Sequence, residues 1–394
     1  MHRAIGIGAA LIFLAAACTA SAESERQHLL ILDESSNVVV YEREGGTSRN
    51  ITSYEQGSST AFQPIWAGNR HIVFSEASAT ASALVTTTND GTEVLRVDLP
   101  SAPFYYAVEP GSMSTESAGR VLSLRSEAGT PGLIAETVAT DGSVTIVGDE
   151  SPFYFSWAPQ GGEVVAHIGS ARLETLLGSE EEVDASPGIF QAPWWTDRGI
   201  VYLRTGGPSQ TVAVKDGDTV RDLAVVSGPA QMVLGGDRLA IQPLLVQEPG
   251  GVEVVRQTLP SVPNGRLSVI DLDSGEITQV TTTLTALFQW DPTGTRLLYG
   301  VPGAAPGTLI WMVWEDGETA QYAEFDIHPV WLSTFVPFFD QYAQSMTLWA
   351  PTGDAFAFPG AVGGSAGVWI QELAVAEPVR ISSGSWVTWE PAEG

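Results

Sequence analysis

Three observations predict an all-β chain for these 394 residues. A tryptophan-centred unit recurs along the sequence, turn dipeptides separate short β-rich runs, and no 12-residue stretch carries a helical period. The 41 Gly and 24 Pro supply the punctuation that many tight turns need. An apolar share of 44% against 16% charged residues fits a globular chain rather than a disordered one.

Residues 1–22 read as an export signal. His2 and Arg3 open it, and Ala4 to Ala17 is a small apolar run, shorter than the ~20 residues that a membrane-spanning helix needs. Two processing routes are open. Ala20-Ser21-Ala22 is an A-x-A cleavage site that releases a soluble chain. Leu14-Ala15-Ala16-Ala17-Cys18 resembles a bacterial lipobox, with its leucine four rather than three residues before the cysteine, and would place a lipid on Cys18. Cys18 is the only cysteine, so no internal disulfide forms and stability must come from burial. No later segment is apolar for long enough to span a membrane.

From residue 28 onward the repeat takes over. Its clear copies are Trp157-Ala158-Pro159-Gln160-Gly161, Trp290-Asp291-Pro292-Thr293-Gly294 and Trp349-Ala350-Pro351-Thr352-Gly353, each followed by an apolar run. Degraded copies sit at Trp66 and Trp195. A second hairpin follows, with turns such as Asn89-Asp90-Gly91, Asp141-Gly142, Asp216-Gly217, Asp273-Ser274-Gly275 and Asp316-Gly317, whose residues tolerate positive φ. Four short antiparallel strands per unit describe one blade of a β-propeller.

Unit starts near 62, 104, 153, 190, 230, 287, 346 and 386 predict eight blades, or seven if the weak 104–147 or 229–282 stretch elaborates a neighbour. His28 to Thr52 lacks a first strand, and Ser385 to Pro391 supplies only a first strand. The N- and C-terminal strands are therefore expected to pair and close the ring, making residues 28–391 a single domain without exposed ends. Trp66, Trp157, Trp195, Trp290, Trp349 and Trp389 take the same repeat position. A ring wedged there between blades buries roughly 150–250 Å², an upper bound of about 4–6 kcal/mol.

The W-x-P-x-G-x-x-(apolar)₃ pattern resembles the TolB-like, WD-repeat-like propeller repeat of bacterial envelope proteins, over nearly all of residues 28–391. The resemblance implies the fold and not an activity, because one superfold hosts many functions. Neither the α/β domain that precedes the propeller in TolB nor the hydrolase domain of prolyl-oligopeptidase-type peptidases is expected here.

A formal net charge of −28, with Lys215 the only lysine, repels phosphate backbones, so no nucleic-acid partner is expected. His28, His71, His167 and His328 are dispersed, with no pair at metal-ligand spacing. Asp271 to Glu276 lacks most ligands of a calcium loop. Gly363-Gly364-Ser365-Ala366-Gly367 matches a nucleophile elbow in letters only, since a strand follows it and no histidine lies downstream. Neither a metal, another cofactor nor a catalytic set is expected.

Two insertions break the repeat. Pro243 to Gly265 falls between the second and third strands of its unit, and Pro329 to Ser345 between one unit's last strand and the next unit's first. Because strands alternate in direction, both emerge on one face. The second carries Trp331, Phe335, Phe338, Phe339, Asp340, Gln341 and Tyr342, which form either a binding patch on the rim or a plug folded into the channel. The expectation is an exported, monomeric, non-enzymatic propeller that binds an envelope or extracellular protein or glycan through this rim. It touches the membrane only through a lipid anchor at Cys18, on the outer side of the cytoplasmic membrane or in the periplasm, or else is secreted in soluble form. The alternative is a glycan- or peptide-acting hydrolase or lyase with acidic residues in the central channel.

Overall fold

Runs of three to ten residues, many with an alternating or fully apolar pattern and cut by glycine turns, form antiparallel sheets, and the chain is a β-propeller. The computed structural model describes residues 27–391 except 56, 69–70, 112–118, 130–131, 170–171, 180, 189–190, 207–208 and 245–258. The export segment with Cys18, and most of the first insertion, lie outside the described residues. Six four-stranded sheets and one seven-stranded sheet are built from the described residues.

Each sheet starts at the axis and moves outward. In one unit the order is Ser59–Trp66, His71–Ser78, Ser82–Thr88 and Glu93–Leu99. The first three are largely buried and the last is mostly exposed, as expected for a blade whose outer edge meets water. The outer hairpins turn where the sequence places Asp-Gly pairs. At Asp316 (φ 46°) and Gly317 (φ 93°) both residues are left-handed, as a two-residue hairpin loop requires. The remaining inner strands are Pro103–Val108, Pro152–Trp157, Trp194–Thr196, Ala230–Gly235, Leu287–Trp290 and Trp386–Trp389.

The last strand, Trp386–Trp389, is the inner strand of the sheet that His28–Leu32 continues. Leu29 faces Trp389 and Leu32 faces Trp386 in register, and His28 Nδ1 lies 2.7 Å from a Glu390 carboxylate oxygen. The two ends of the described chain thus share one sheet.

Repeat tryptophans tie neighbouring inner strands together. The indole N–H of Trp157 donates to Ala107 O, that of Trp290 to Val233 O and that of Trp349 to Gln289 O, each on the preceding unit's inner strand. Trp66, Trp157, Trp290, Trp349 and Trp389 are buried, as the repeat predicts. Trp195 departs from the set and stays half-buried, while its neighbour Trp194 makes the indole bond, to Met232 O on the following unit.

The seven-stranded sheet shows where the second insertion belongs. Asp326 and Ile327, the end of the long outer strand Glu318–Ile327, pair with Ala361 and Gly360 on the strand Ala355–Val362. Farther along the same edge, Ala357 N donates to Leu348 O and Trp349 bridges Phe356. Gly360 and Ala357 are three positions apart, whereas Ile327 and Leu348 are twenty-one apart. Eighteen residues therefore leave this inner edge and return to it. The sequence reading set the insertion between two units; the structure sets it inside the inner edge of one. Taking the seven-stranded sheet as two units gives eight inner segments among the described residues.

Replacing Trp349 by alanine removes a fully buried ring and its indole hydrogen bond, and should cost about 3–5 kcal/mol of unfolding free energy. The same change at half-buried Trp195 should cost under about 1 kcal/mol. Urea titrations of the two variants check the difference.

Candidate functional site

The eighteen-residue excursion folds as helix α1 (Pro329–Thr334), a 3-10 turn (Val336–Phe338) and helix α2 (Phe339–Tyr342). His328 starts α1: its ring nitrogen accepts the Val330 N–H, and Pro329 sits at the first helical position, where a missing N–H costs nothing. The four-residue spacing of Trp331 and Phe335 puts both rings on one side, stacked at 4.7 Å and 3°.

That side turns into the channel. Tyr342 meets Tyr105 and Trp386 edge-on, and its hydroxyl accepts a 2.6 Å hydrogen bond from Gln63 Nε2. Phe339 packs on Phe288 at 4.8 Å. Gln341 imitates a strand: its amide oxygen accepts Phe155 N–H and its amide nitrogen donates to Phe155 O, both at 2.9 Å. Gln344 Nε2 donates to Pro193 O, and Gln289 Nε2 to Met346 O. The excursion thus touches inner strands around the axis and joins the apolar cluster of the repeat tryptophans.

Of the seven residues nominated from sequence, Trp331, Phe335, Phe339, Asp340, Gln341 and Tyr342 are buried in this plug. Phe338 alone stays half-buried, at the insertion face. There it forms a three-ring cluster with Phe104 (5.1 Å) and Phe153 (6.2 Å), themselves 6.0 Å apart. Around it Phe104 is 36% exposed, Phe62 44%, Val330 45% and Leu332 50%. Leu244 and Leu284, also exposed, sit in connections that emerge on the same face. Phe62, Phe104 and Phe153 were marked in the sequence only by their place at the unit starts near 62, 104 and 153. The available signal was their position at the head of inner strands, next to the insertion.

The opposite face is concave. Cavities of about 250 and 280 Å³ flank Ala343, where the plug ends, and their walls are the far ends of the inner strands. One is lined by Trp157, Trp194 and Trp195, the other by Trp290 and Asp291.

Asp340 is the plug's one carboxyl group. Burial pushes it up to about 7, against the lowering effect of the Gln341 and Ala192 backbone N–H groups. Burial lifts the Tyr154 hydroxyl above the ordinary range, and the Asp340 charge lifts it further. Among the described residues no three His, Cys, Asp or Glu side chains are placed to hold a metal ion, and no helix is long and apolar enough to cross a membrane. Three of the four described histidines have structural partners: His28 pairs with Glu390, His328 caps α1, and His167 is buried between Gly169 O and Gly188 O, whereas His71 is buried with its Nδ1 unpartnered. Gly363 and Gly364, both at positive φ, turn a hairpin between Ala355–Val362 and Ser365–Glu372. Asp271 Oδ1 accepts the N–H groups of Asp273 and Ser274, closing a turn on itself.

No family model and no curated protein matches the chain. Solved propellers do. The C-terminal WD40 domain of Sif2 is similar over 87% of this chain and 92% of that one, with a TM-score of 0.55 at 9% identity, which shows the shared fold. TolB from Acinetobacter baumannii is 12% identical over 75% of this chain, with a TM-score of 0.37. The match spans 62% of that chain, less than two thirds of its length. An uncharacterized protein from Listeria monocytogenes EGD-e is 11% identical over 75% of this chain and 94% of that one, with a TM-score of 0.45.

Because the folded chain holds a proton on Asp340 where the unfolded chain has lost it, this group's stabilising effect is complete below about pH 4. It is lost as pH rises through about 7. Asp340→Asn should therefore match the parent near pH 4 and exceed it increasingly toward pH 8, by about 4 kcal/mol at most. Chemical denaturation across that range checks the divergence.

Proposed function

We propose that the chain is an exported, lipid-anchored propeller without enzymatic activity that captures a protein partner through its insertion face. The carrying observation is the apolar surface there. Phe62, Phe104, Phe338, Val330 and Leu332 leave ring and branched-chain area in water on the face that bears both insertions. Surface of that kind, held on a rigid scaffold, is what a partner's burial stabilises. The six buried residues of the plug act beneath it, holding Phe338 and α1 in place, so the binding role passes from the aromatic loop as a whole to its outward side.

Export rests on the signal pattern of residues 1–22, and anchoring on the position of Cys18, the sole thiol. A lipid there would hold the domain at the membrane's outer side while the propeller itself stays outside the bilayer. A single acyl group anchors only marginally, so more than one chain on Cys18 is required for stable attachment.

Phe104→Ser combined with Phe338→Ser should lower partner capture from an envelope extract at least tenfold, with the far-ultraviolet spectrum and melting midpoint close to the parent. Capture at the parental level by a folded double variant would remove the proposal. Cys18→Ala should move the protein from the detergent phase to the aqueous phase, and the mass of the mature N-terminus checks the lipid directly.

A further inference from the structure

The concave face opposite the insertions carries a second chemistry. Two of the six repeat tryptophans carry an arginine: the Arg120 guanidinium stands 5.4 Å from the Trp157 ring and that of Arg43 stands 5.8 Å from Trp389. Trp195 takes the same repeat position, is half-buried rather than buried, and borders the cavity of about 250 Å³ beside the plug's end. Among the described residues no cation stands over it. We infer that this cavity binds a guanidinium group supplied from outside the chain, with Trp195 as its aromatic platform.

Three further observations favour a cation over a neutral or anionic ligand. The cavity lining holds no lysine, arginine or histidine, and the Arg120 guanidinium against the lining Trp157 ring is already paired with Glu109 at 2.7 Å, which offsets its repulsion of a positive charge. The chain's −28 formal charge draws cations toward it and anions away. Gln344 lines the cavity and uses its amide nitrogen on Pro193 O, while its amide oxygen has no donor among the described residues. That oxygen suits the planar N–H fork of a guanidinium, which needs acceptors as well as a π face. The site lies across the ring from the insertion face, so it stands or falls independently of partner capture there.

Isothermal titration calorimetry of the full chain tests the inference with three probes: N-acetyl-arginine amide, its neutral isostere N-acetyl-citrulline amide, and free arginine. The capped arginine should bind, weaken as salt rises, and outcompete the citrulline analogue at least tenfold. Trp195→Leu should weaken it about five- to thirtyfold at unchanged melting midpoint. If that variant does not fold, Trp195→Phe, which keeps a weaker π face, should bind with intermediate affinity. Free arginine binding as well as the capped probe would assign the site to a small molecule. Preference for the capped form would assign it to an arginine side chain of a partner. Equal binding of arginine and citrulline probes, no binding of either, or unaltered arginine affinity in a folded Trp195 variant would overturn it.

Discussion

The axis is the constraint on which the rest of this structure depends. Inner strands arranged around so wide a ring cannot reach one another across it, and a water-filled core would leave their apolar faces uncovered. The chain meets this by letting eighteen residues leave the inner edge of Ala355–Val362 and fill the channel before Leu348 and Trp349 resume the strand. Filling is aromatic because few, large, rigid groups must cover much area. Backbone carbonyls around the channel are satisfied by side-chain amides: Gln63, Gln289, Gln341 and Gln344 donate to Phe104 O, Met346 O, Phe155 O and Pro193 O. The excursion starts at one face and ends at Ala343 near the other, so it makes the two faces different, one domed and apolar, one hollow.

Charge is distributed with the same economy of contact. Arginine serves mainly as mortar. Arg43 bridges Asp354 and Glu372, Arg125 pairs with Glu136 inside its blade, and Arg198 joins two neighbouring turns through Asp237 and Asp273. With so few bases, these pairs leave a large acidic excess facing water, where each charge is well solvated and costs little. Asp340 is the exception. It has no cationic partner among the described residues and sits where water is excluded, so its proton, rather than a counter-charge, neutralises it at low pH.

Much of the architecture was legible because its signals are local. Trp-x-Pro-x-Gly marks an inner strand and the turn after it, Asp-Gly marks an outer hairpin, and the unmatched fragments at 28–52 and 385–391 fit together as one sheet. The half-buried Trp195 was not legible, since Trp66 sits in an equally degraded copy of the repeat and is buried. Nor was the direction of the 329–345 aromatics. A run with Trp331, Phe335, Phe339 and Tyr342 looks the same whether its rings face a partner or a channel. What separates the two is the pairing of Ile327 with Gly360 and of Trp349 with Phe356, contacts between segments that local pattern does not connect.

Plugging and the proposed recognition, which the sequence poses as rival fates for one loop, are compatible as successive layers of a single element. Burial of Trp331, Phe335, Phe339 and Tyr342 leaves α1 little freedom, and a helix of six residues would have almost no persistence without it. That rigidity holds Val330, Leu332 and Phe338 at the surface in one arrangement. Ordering an exposed apolar surface in advance removes an entropic cost that any partner would otherwise meet on binding. The buried and exposed halves of the insertion are therefore coupled. The deeper the plug is fixed, the more its outer side resembles a preformed interface, which is why aromatic residues that never touch solvent bear on what the face can hold.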